Sequence, residues 1–199
     1  LSIKLKRSKK ATCTQYVMLT TNEAYRLLKA FENHRLYPII KTALFYGLRR
    51  SEVLGLKWSA IDFENNELRI QHTIVKSLTI EKKDNTKTPG SRATFELLPE
   101  IKEIFLRLYE KRNPNSQYIF TWEDGRHYRP DYVTKAFKKH LKKCGLPVMR
   151  FHDLRHSTAS ILFDNGMELE DVKNWLRHSD IETTSNIYLQ YSSARKKIC

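Results

Sequence analysis

The apolar residues between residues 20 and 56 follow the period of an α-helix. Thr20 and Glu23 form a capping-box pattern, which predicts a helix starting just after Thr20. The apolar faces of this helix and of the next one consist of Ala24, Leu27, Leu28 and Phe31, and of Leu36, Ile39, Ile40, Ala43 and Leu44. Gly47 predicts the end of the second helix, and Ser51 predicts the start of a short third one.

Between residues 68 and 97 the period changes to two, which is typical of β-strands. Polar residues alternate with Leu68, Ile70, His72 and Ile74 in one run, and with Ala93, Phe95 and Leu97 in the other. A polar and basic stretch from Glu81 to Arg92 separates the two runs and contains the turn signal Pro89-Gly90. These features predict a small antiparallel sheet with a long basic hairpin.

The rest of the chain returns to helical spacing. One helix is led by Pro99 and another starts near Pro130, with a short strand at Tyr118–Phe120 between them. In the last third of the chain, the same spacing predicts helices at about 152–165, 168–177 and 181–189, and Gly166 predicts the end of the first of them. The predicted fold class is therefore α+β, a mostly helical domain with a small antiparallel β-sheet and a basic β-hairpin.

The charge balance favours a polyanionic partner. Among 199 residues, 36 are Lys or Arg and 22 are Asp or Glu, a formal net charge of +14, while 40% are hydrophobic. This excess beside a core of ordinary size favours nucleic acid. Three scattered cysteines indicate a reducing compartment, and no apolar run reaches the length of a bilayer span. Because the chain begins at Leu1 within a basic run, we expect a fragment of a longer protein, cut in a linker.

His152 and Arg155 are the first candidates for chemistry. They lie three residues apart at a predicted helix start, so both face one way beside free N–H groups, and an arginine fork can bind two phosphate oxygens. Alone, such a pair is more often only a polar helix face. Arg49 lies at a junction of two helices, where a surface arginine paired with Glu52 is the alternative. Spacing alone does not separate Arg49 from Arg50.

Lys87, His178 and Tyr188 are the remaining candidates. Lys87, near the hairpin tip, can donate a proton to a leaving oxygen, although a solvated basic loop is the more common role. His178 follows an amphipathic helix, and the alternative is a histidine that is simply stabilised by the helix dipole at this end. Tyr188 is a nucleophile only if cations stabilise its phenolate, and otherwise an ordinary core tyrosine.

The order and spacing of these residues together resemble one family. The chain contains, in this order, Gly-Leu-Arg-x-Ser-Glu, a lysine hairpin, His-x-Leu-Arg-His, Leu-x-His-Ser and a tyrosine ten residues on. This order resembles the catalytic domain of the tyrosine recombinases, the lambda-type integrases. The resemblance implies a catalytic domain at 18–192, a basic linker remnant at 1–17 and a tail at 193–199. The catalytic residues that it implies are Arg49, Lys87, His152, Arg155, His178 and Tyr188. Tyr191 does not fit the spacing, and Glu52 matches a supporting acid.

The resemblance also implies a reaction that needs neither a cofactor nor a metal. Tyr188 attacks a DNA phosphate and forms a 3′-phosphotyrosine link, while Arg49 and Arg155 hold the non-bridging oxygens. His178 adds a hydrogen bond, Lys87 protonates the leaving 5′-oxygen, and His152 assists the proton transfer. We expect His156 to be structural. The sequence leaves open whether the site is assembled without DNA, and if it is not, Tyr188 and the Lys87 hairpin are the parts expected to be displaced.

One position departs from the family pattern. The family commonly has Leu-Gly-His before the tyrosine, and Arg177 stands here in place of the glycine. Because a helix tolerates Arg better than Gly, we expect the change to be harmless and able to add a phosphate contact.

The implied partners and location follow from the same resemblance. The implied partner is double-stranded DNA, on which the chain forms a homotetramer, while the isolated domain is a monomer in solution. Accessory directionality proteins are further possible partners. The implied location is the nucleoid in the bacterial cytoplasm. An integrase of a phage or conjugative transposon is favoured over a chromosome-dimer resolvase. A DNA-relaxing enzyme like the type IB topoisomerases and a non-catalytic DNA-binding protein are the alternatives.

Overall fold

The computed structural model describes residues 16–71, 73–76, 80–83, 93–178 and 181–196. The helices in these ranges are α1 (Thr21–Phe31), α2 (Tyr37–Tyr46), α3 (Arg50–Leu54), α4 (Pro99–Glu110), α5 (Pro130–Lys143), α6 (Asp153–Asp164), α7 (Leu169–Leu176) and α8 (Ile181–Lys196). The strands are β1 (Ile61–Asp62), β2 (Glu67–Ile70), β3 (Thr73–Lys76), β4 (Ile80–Lys83) and β5 (Ala93–Glu96). The predicted α+β class is confirmed.

The predicted ends of the first two helices are confirmed in atomic detail. Glu23 accepts hydrogen bonds from the backbone N–H and hydroxyl of Thr20, at 2.8 and 2.9 Å, and so completes the capping box. Gly47 ends α2 in the left-handed conformation, with φ of 60°. The chain can therefore turn sharply between α2 and α3, which brings Arg49 to the start of α3.

The β region differs from the single alternating strand predicted over residues 68–74. β2 pairs with β1 and β5 in an antiparallel sheet of order β1-β2-β5, in which Leu68 lies opposite Phe95. β3 leaves this sheet and pairs with β4 in a separate hairpin that packs against α3. His72 and most of the predicted basic hairpin, Lys87 included, lie outside the described residues.

Two other predicted elements differ in extent. The predicted strand at Tyr118–Phe120 forms only an isolated bridge, between Tyr118 and Lys57. Its side chains are buried like those of a strand, and two backbone hydrogen bonds beside the bridge join the segment to Leu56 and Trp58. α8 continues to Lys196, past the predicted helix end at 189 and across the predicted domain boundary at 192.

The core has two parts that meet at α6. The larger part surrounds α2, whose Tyr46 donates a hydrogen bond to the carbonyl of Glu96 at 3.0 Å and accepts one from the N–H of Leu98. The smaller part lies between α6, α7 and α8 and consists of Ala159, Phe163, Val172, Leu176 and Ile187. Since α6 also packs on α2, the start of α6, the end of α2 and the end of α7 converge.

In the described part of the chain, no helix combines the length and the apolar character needed to cross a bilayer.

Candidate active site

Arg155, in the first turn of α6, joins the ends of two other helices. Its side chain is almost fully buried, and its terminal nitrogens donate to the carbonyls of Gly47, at 2.5 Å, and Leu176. Carbonyls at helix C-termini carry partial negative charge, so they suit a cation. Burial, and then the charge of Arg49, lower the pKa of Arg155 to about 9, which leaves it charged at neutral pH.

Gly47 allows this convergence. A Cβ atom at Gly47 would lie 2.3 Å from a methyl carbon of Leu176, much closer than any real Cβ contact. The left-handed φ of Gly47 also favours glycine. The short distance between α2 and α7 at the site therefore depends on the absence of a side chain here.

His178 continues the hydrogen-bonded chain from Arg155. Its Nε2 lies 3.3 Å from Nε of Arg155, and its Nδ1 lies 2.7 Å from the hydroxyl of Thr184 on α8. Burial, together with Arg155 and Arg49, lowers the pKa of His178 to about 3, so the ring is neutral near pH 7. Because Nε of Arg155 can only donate, Nε2 accepts, and we assign the ring proton to Nδ1.

Arg49 faces the same site from the start of α3. Its backbone N–H and its guanidinium each donate to the carboxylate of Glu52, both at 2.8 Å. The Glu52 side chain is buried, whereas 36% of the Arg49 side chain is exposed. Arg50 instead donates to the hydroxyl of Thr134 on α5, at 2.5 Å. The structure thus distinguishes Arg49 from Arg50, which sequence spacing could not do. Arg49 is the one that is directed to the site.

His152 occupies the position just before α6, close to Arg155, and its side chain makes no capping hydrogen bond. Its ring is exposed at the surface and meets the ring of His156 edge-on, with centroids 5.0 Å apart. Partial desolvation, then the charges of Arg155 and Arg49, lower the pKa of His152. His156 is buried against the ring of Tyr16, at 4.2 Å, and burial lowers its pKa to about 4. We call Arg49, His152, Arg155 and His178 the arginine–histidine cluster.

Tyr188 lies away from this cluster. Its ring packs edge-on against Phe163, with centroids 5.1 Å apart, and 43% of the residue is exposed. Phe163 follows Arg155 by about two helical turns, or about 12 Å along α6. Among the described residues, the Tyr188 hydroxyl donates no hydrogen bond to the cluster. The structure brings four of the six candidates together, leaves Tyr188 apart, and does not describe Lys87.

Arg177 corrects the expectation drawn from its sequence. It does not continue α7 but ends it in the left-handed conformation, with φ of 56°, so helix propensity does not apply. Its side chain is 4% exposed and donates to Glu52 at 3.0 Å. A guanidinium buried on a carboxylate does not reach out to a DNA phosphate, so the expected phosphate contact is wrong.

Sequence reasoning missed Thr184 altogether, and it did not predict the ion pair that Arg177 forms with Glu52. Thr184 is fully buried against His178, and Arg177 is an ion-pair partner of Glu52. The spacing of Thr184, one helical turn before Tyr188, is a weak signal that it shares a face with that residue.

The site as a whole is electropositive. The guanidiniums of Arg49, Arg155 and Arg177 face one carboxylate, that of Glu52, while His178 is neutral. A partly exposed fork above a buried cation suits an anion with several oxygens, such as a phosphate.

Comparison with known sequences shows which family this chain resembles. The sequence model of the phage integrase family matches residues 17–195. A XerC-like tyrosine recombinase of Caldanaerobacter subterraneus subsp. tengcongensis is 32% identical over 197 residues, covering 88% of this chain and 50% of the relative. A probable integrase/recombinase of Acholeplasma phage L2 is 31% identical and covers 78% and 49%. The chain therefore spans about half the length of these relatives.

Solved structures share the fold. The Tn1549 transposon integrase, in complex with transposon right end DNA, matches with a TM-score of 0.77 and 22% identity over 91% of this chain and 65% of that one. A lambda integrase dimer bound to a COC′ core site matches with a TM-score of 0.67 and 18% identity, over 90% and 50%. At these identities the likeness concerns the fold, whereas the family match extends over nearly the whole chain. The chain belongs to the phage integrase family.

Proposed function

We propose that this chain is the catalytic domain of a site-specific DNA recombinase that cleaves and rejoins duplex DNA through a 3′-phosphotyrosine intermediate. The observation that carries the proposal is the arginine–histidine cluster, which is assembled from the α2–α3 junction, the start of α6 and the end of α7. Membership of the phage integrase family supports the same reaction.

The scissile phosphate binds at the cluster. Arg49 contacts the non-bridging oxygens from the exposed side, because its guanidinium is only partly covered. Arg155 acts as a fixed buried charge beneath them, held by two carbonyls, and needs no reorganisation as negative charge builds on the phosphorus.

His178 can add a hydrogen bond to the phosphate by changing tautomer. In the free protein its Nε2 accepts from Arg155. The hydroxyl of Thr184 can either accept from Nδ1 or donate to it, so the proton can move to Nε2 with no change in charge. His178 then donates to a non-bridging oxygen.

The chemical step exchanges one phosphodiester bond for another. The hydroxyl oxygen of Tyr188 bonds to phosphorus as the bond to the 5′-oxygen breaks. His152, neutral at pH 7 because its pKa is lowered, assists in taking the tyrosine proton. Lys87 gives a proton to the leaving oxygen. The segment that carries Lys87 connects β4 to β5, and the β3–β4 hairpin packs on α3, which starts beside Arg49.

DNA binding brings Tyr188 to the phosphate. In the free protein the ring of Tyr188 packs on Phe163, and its hydroxyl lies apart from the cluster. Before cleavage, either α8 must move or the DNA must bind so that its phosphate lies next to the Tyr188 hydroxyl.

The proposed partners are duplex DNA and further copies of the chain. The net charge of +14 supports phosphate contacts over much of the surface, and binding then weakens steeply with salt. A homotetramer on DNA, a monomeric free domain, accessory directionality proteins and a place at the bacterial nucleoid complete the proposal. Integration and excision of a mobile element is the proposed role, in line with relatives named as a phage integrase/recombinase and the ICEBs1 integrase of Bacillus subtilis.

Covalent trapping tests the proposed reaction. The chain is mixed with nicked suicide duplexes selected from a random pool by binding, and adducts are resolved on denaturing gels. We expect an adduct with the unaltered chain and with Tyr191→Phe, the matched control one helical turn away, and none with Tyr188→Phe. No adduct with the unaltered chain under binding conditions, or an adduct with Tyr188→Phe, would reject the proposed function.

A further inference from the structure

Arg177 occupies a backbone position that is unfavourable for arginine. It ends α7 with φ of 56° and ψ of 46°, the left-handed region that glycine adopts most readily. Among the described residues, Asn66 is the only other non-glycine residue with a positive φ. A large side chain in this conformation needs a compensating interaction.

The side chain of Arg177 supplies such an interaction. It turns inward from the end of α7, and its guanidinium lies 5.4 Å from the centre of the Phe95 ring on β5. It also donates to Oε2 of Glu52 at 3.0 Å, in a contact where both side chains are almost fully buried. Arg177 thereby joins α7 to β5 and to α3.

Glu52 is shared between Arg177 and Arg49. Its Oε1 accepts from the Arg49 guanidinium, and its Oε2 accepts from both the Arg49 backbone N–H and Arg177. With both oxygens engaged, the carboxylate cannot rotate freely, and the Arg49 guanidinium is held in one direction. One negative charge is also divided between two guanidiniums, so Arg49 is not fully neutralised.

We infer that Arg177 is a positioning residue, which acts through Glu52 to orient Arg49 towards the scissile phosphate and to keep its charge available. The inference rests on the proposed function, since the phosphate is the ligand of that site.

The ionisation of Glu52 provides a direct readout of this role. Among the described residues, the charged groups that face Glu52 are Arg49 just before α3, Arg155 on α6 and Arg177 at the end of α7. Burial alone would raise the pKa of Glu52, but Arg177 and Arg49 outweigh it, so the pKa lies below its usual value. Removing Arg177 should therefore raise this pKa, and protonation of Glu52 would then release Arg49 as the pH falls.

The test compares Arg177→Gly with Arg177→Lys and a matched control. Glycine fits the left-handed backbone, so this variant should fold while it lacks the guanidinium. Lysine keeps the charge but not the fork. Asn66→Gly relieves the other left-handed residue and leaves the site unchanged. The measurements are the pKa of Glu52 by carbon NMR and the single-turnover rate of adduct formation against pH, at saturating nicked duplex.

For Arg177→Gly we expect a raised pKa of Glu52 and a cleavage rate lowered about tenfold at neutral pH, less than the ~100-fold that a 1 Å misplacement can cost. The loss should deepen at acidic pH, Arg177→Lys should restore part of the rate, and Asn66→Gly should match the unaltered chain. An unchanged Glu52 pKa, or an unchanged rate and pH profile, in Arg177→Gly overturns the inference. If the unaltered chain forms no adduct, the proposed function fails, and the Glu52 titration alone decides the role of Arg177.

Discussion

At the scale of single residues, the site is held by a chain of buried hydrogen bonds. Arg155 donates to His178, and His178 contacts the hydroxyl of Thr184. Thr184 lies one turn before Tyr188 on α8, so both project from similar sides of the helix. The orientation of the His178 ring is thereby linked to the docking of the helix that carries the proposed nucleophile.

Replacing Thr184 tests this link. In Thr184→Val the Nδ1 of His178 loses its partner, and the ring no longer has a hydroxyl that can serve either tautomer. We expect the single-turnover cleavage rate to fall about fivefold, which corresponds to one ordinary hydrogen bond. Thr184→Ser keeps the hydroxyl and should retain most of the rate. Equal rates for the valine and serine variants would show that the hydroxyl has no such role.

Single residues also show what the sequence could and could not predict. The motif order predicted that Arg49, His152, Arg155 and His178 belong to one site, and the structure brings these four together. The choice of Arg49 over Arg50 rested on resemblance, because neighbours in a chain differ only in which way they point. The pairing of Arg177 with Glu52 joins residues that are 125 positions apart, and no local pattern predicts such a contact.

At the scale of elements, the site depends on how closely the ends of α2 and α7 approach. Arg155 bridges the terminal carbonyls of both helices, and Gly47 leaves room for Leu176. Any side chain at Gly47 would push α7 outward and separate the two carbonyls.

Two glycines with positive φ allow a matched test. Gly166 has φ of 81° and open space where a Cβ would lie, so Gly166→Ala should cost only the backbone strain, about 1–2 kcal/mol. Gly47→Ala adds a clash with buried Leu176, and we expect a total loss of about 3 kcal/mol or more in the free energy of unfolding. Urea denaturation measures both. Equal losses would mean that α7 adjusts at no cost.

The elements differed in how far the sequence predicted them. The helices were predicted because one apolar face recurs every three to four residues and the ends carry caps, as at Thr20 and Gly47. The split between β2 and β3 was missed because alternation marks a strand but does not name its partner. The predicted strand at Tyr118–Phe120 is a run of three apolar residues, but among the described residues it forms only an isolated bridge.

At the scale of the whole molecule, buried histidines tie stability to pH. Burial lowers the pKa of His156 to about 4 and that of His178 to about 3, against an ordinary value of 6.5. The unfolded chain therefore binds protons at these positions before the folded chain does. The contribution of these two histidines to stability should be constant above pH 6.5 and fall as the pH drops from 6.5 towards 4 and 3.

The variant His156→Phe isolates one of these contributions. Phenylalanine keeps a ring against Tyr16 but cannot be protonated, so the slope of unfolding free energy against pH should decrease by up to about 1.4 kcal/mol per unit between pH 6.5 and 4. Phe163→Leu, a non-titrating change in the smaller core, should lower stability equally at every pH. A slope that His156→Phe leaves unaltered would contradict the assignment.

The family could be predicted from composition and motif order, because both are properties of the sequence along the whole chain. They could not predict the position of Tyr188, since its place depends on how α8 packs on α6. The hydroxyl of Tyr191 donates to Asp164 at 2.7 Å, and the Tyr188 ring lies on Phe163, which together set α8 in the free protein.

In the proposed reaction, Tyr188 becomes bonded to the 3′ end of the cleaved DNA. After trapping on a nicked duplex, nuclease and trypsin digestion leave a nucleotide on one peptide, and fragmentation in a mass spectrometer locates it. Tyr188 and Tyr191 share the peptide from His178 to Arg195, so the fragment ions between them decide. We predict the nucleotide on Tyr188. A nucleotide on Tyr191, or on any other residue, would contradict the proposed role of Tyr188.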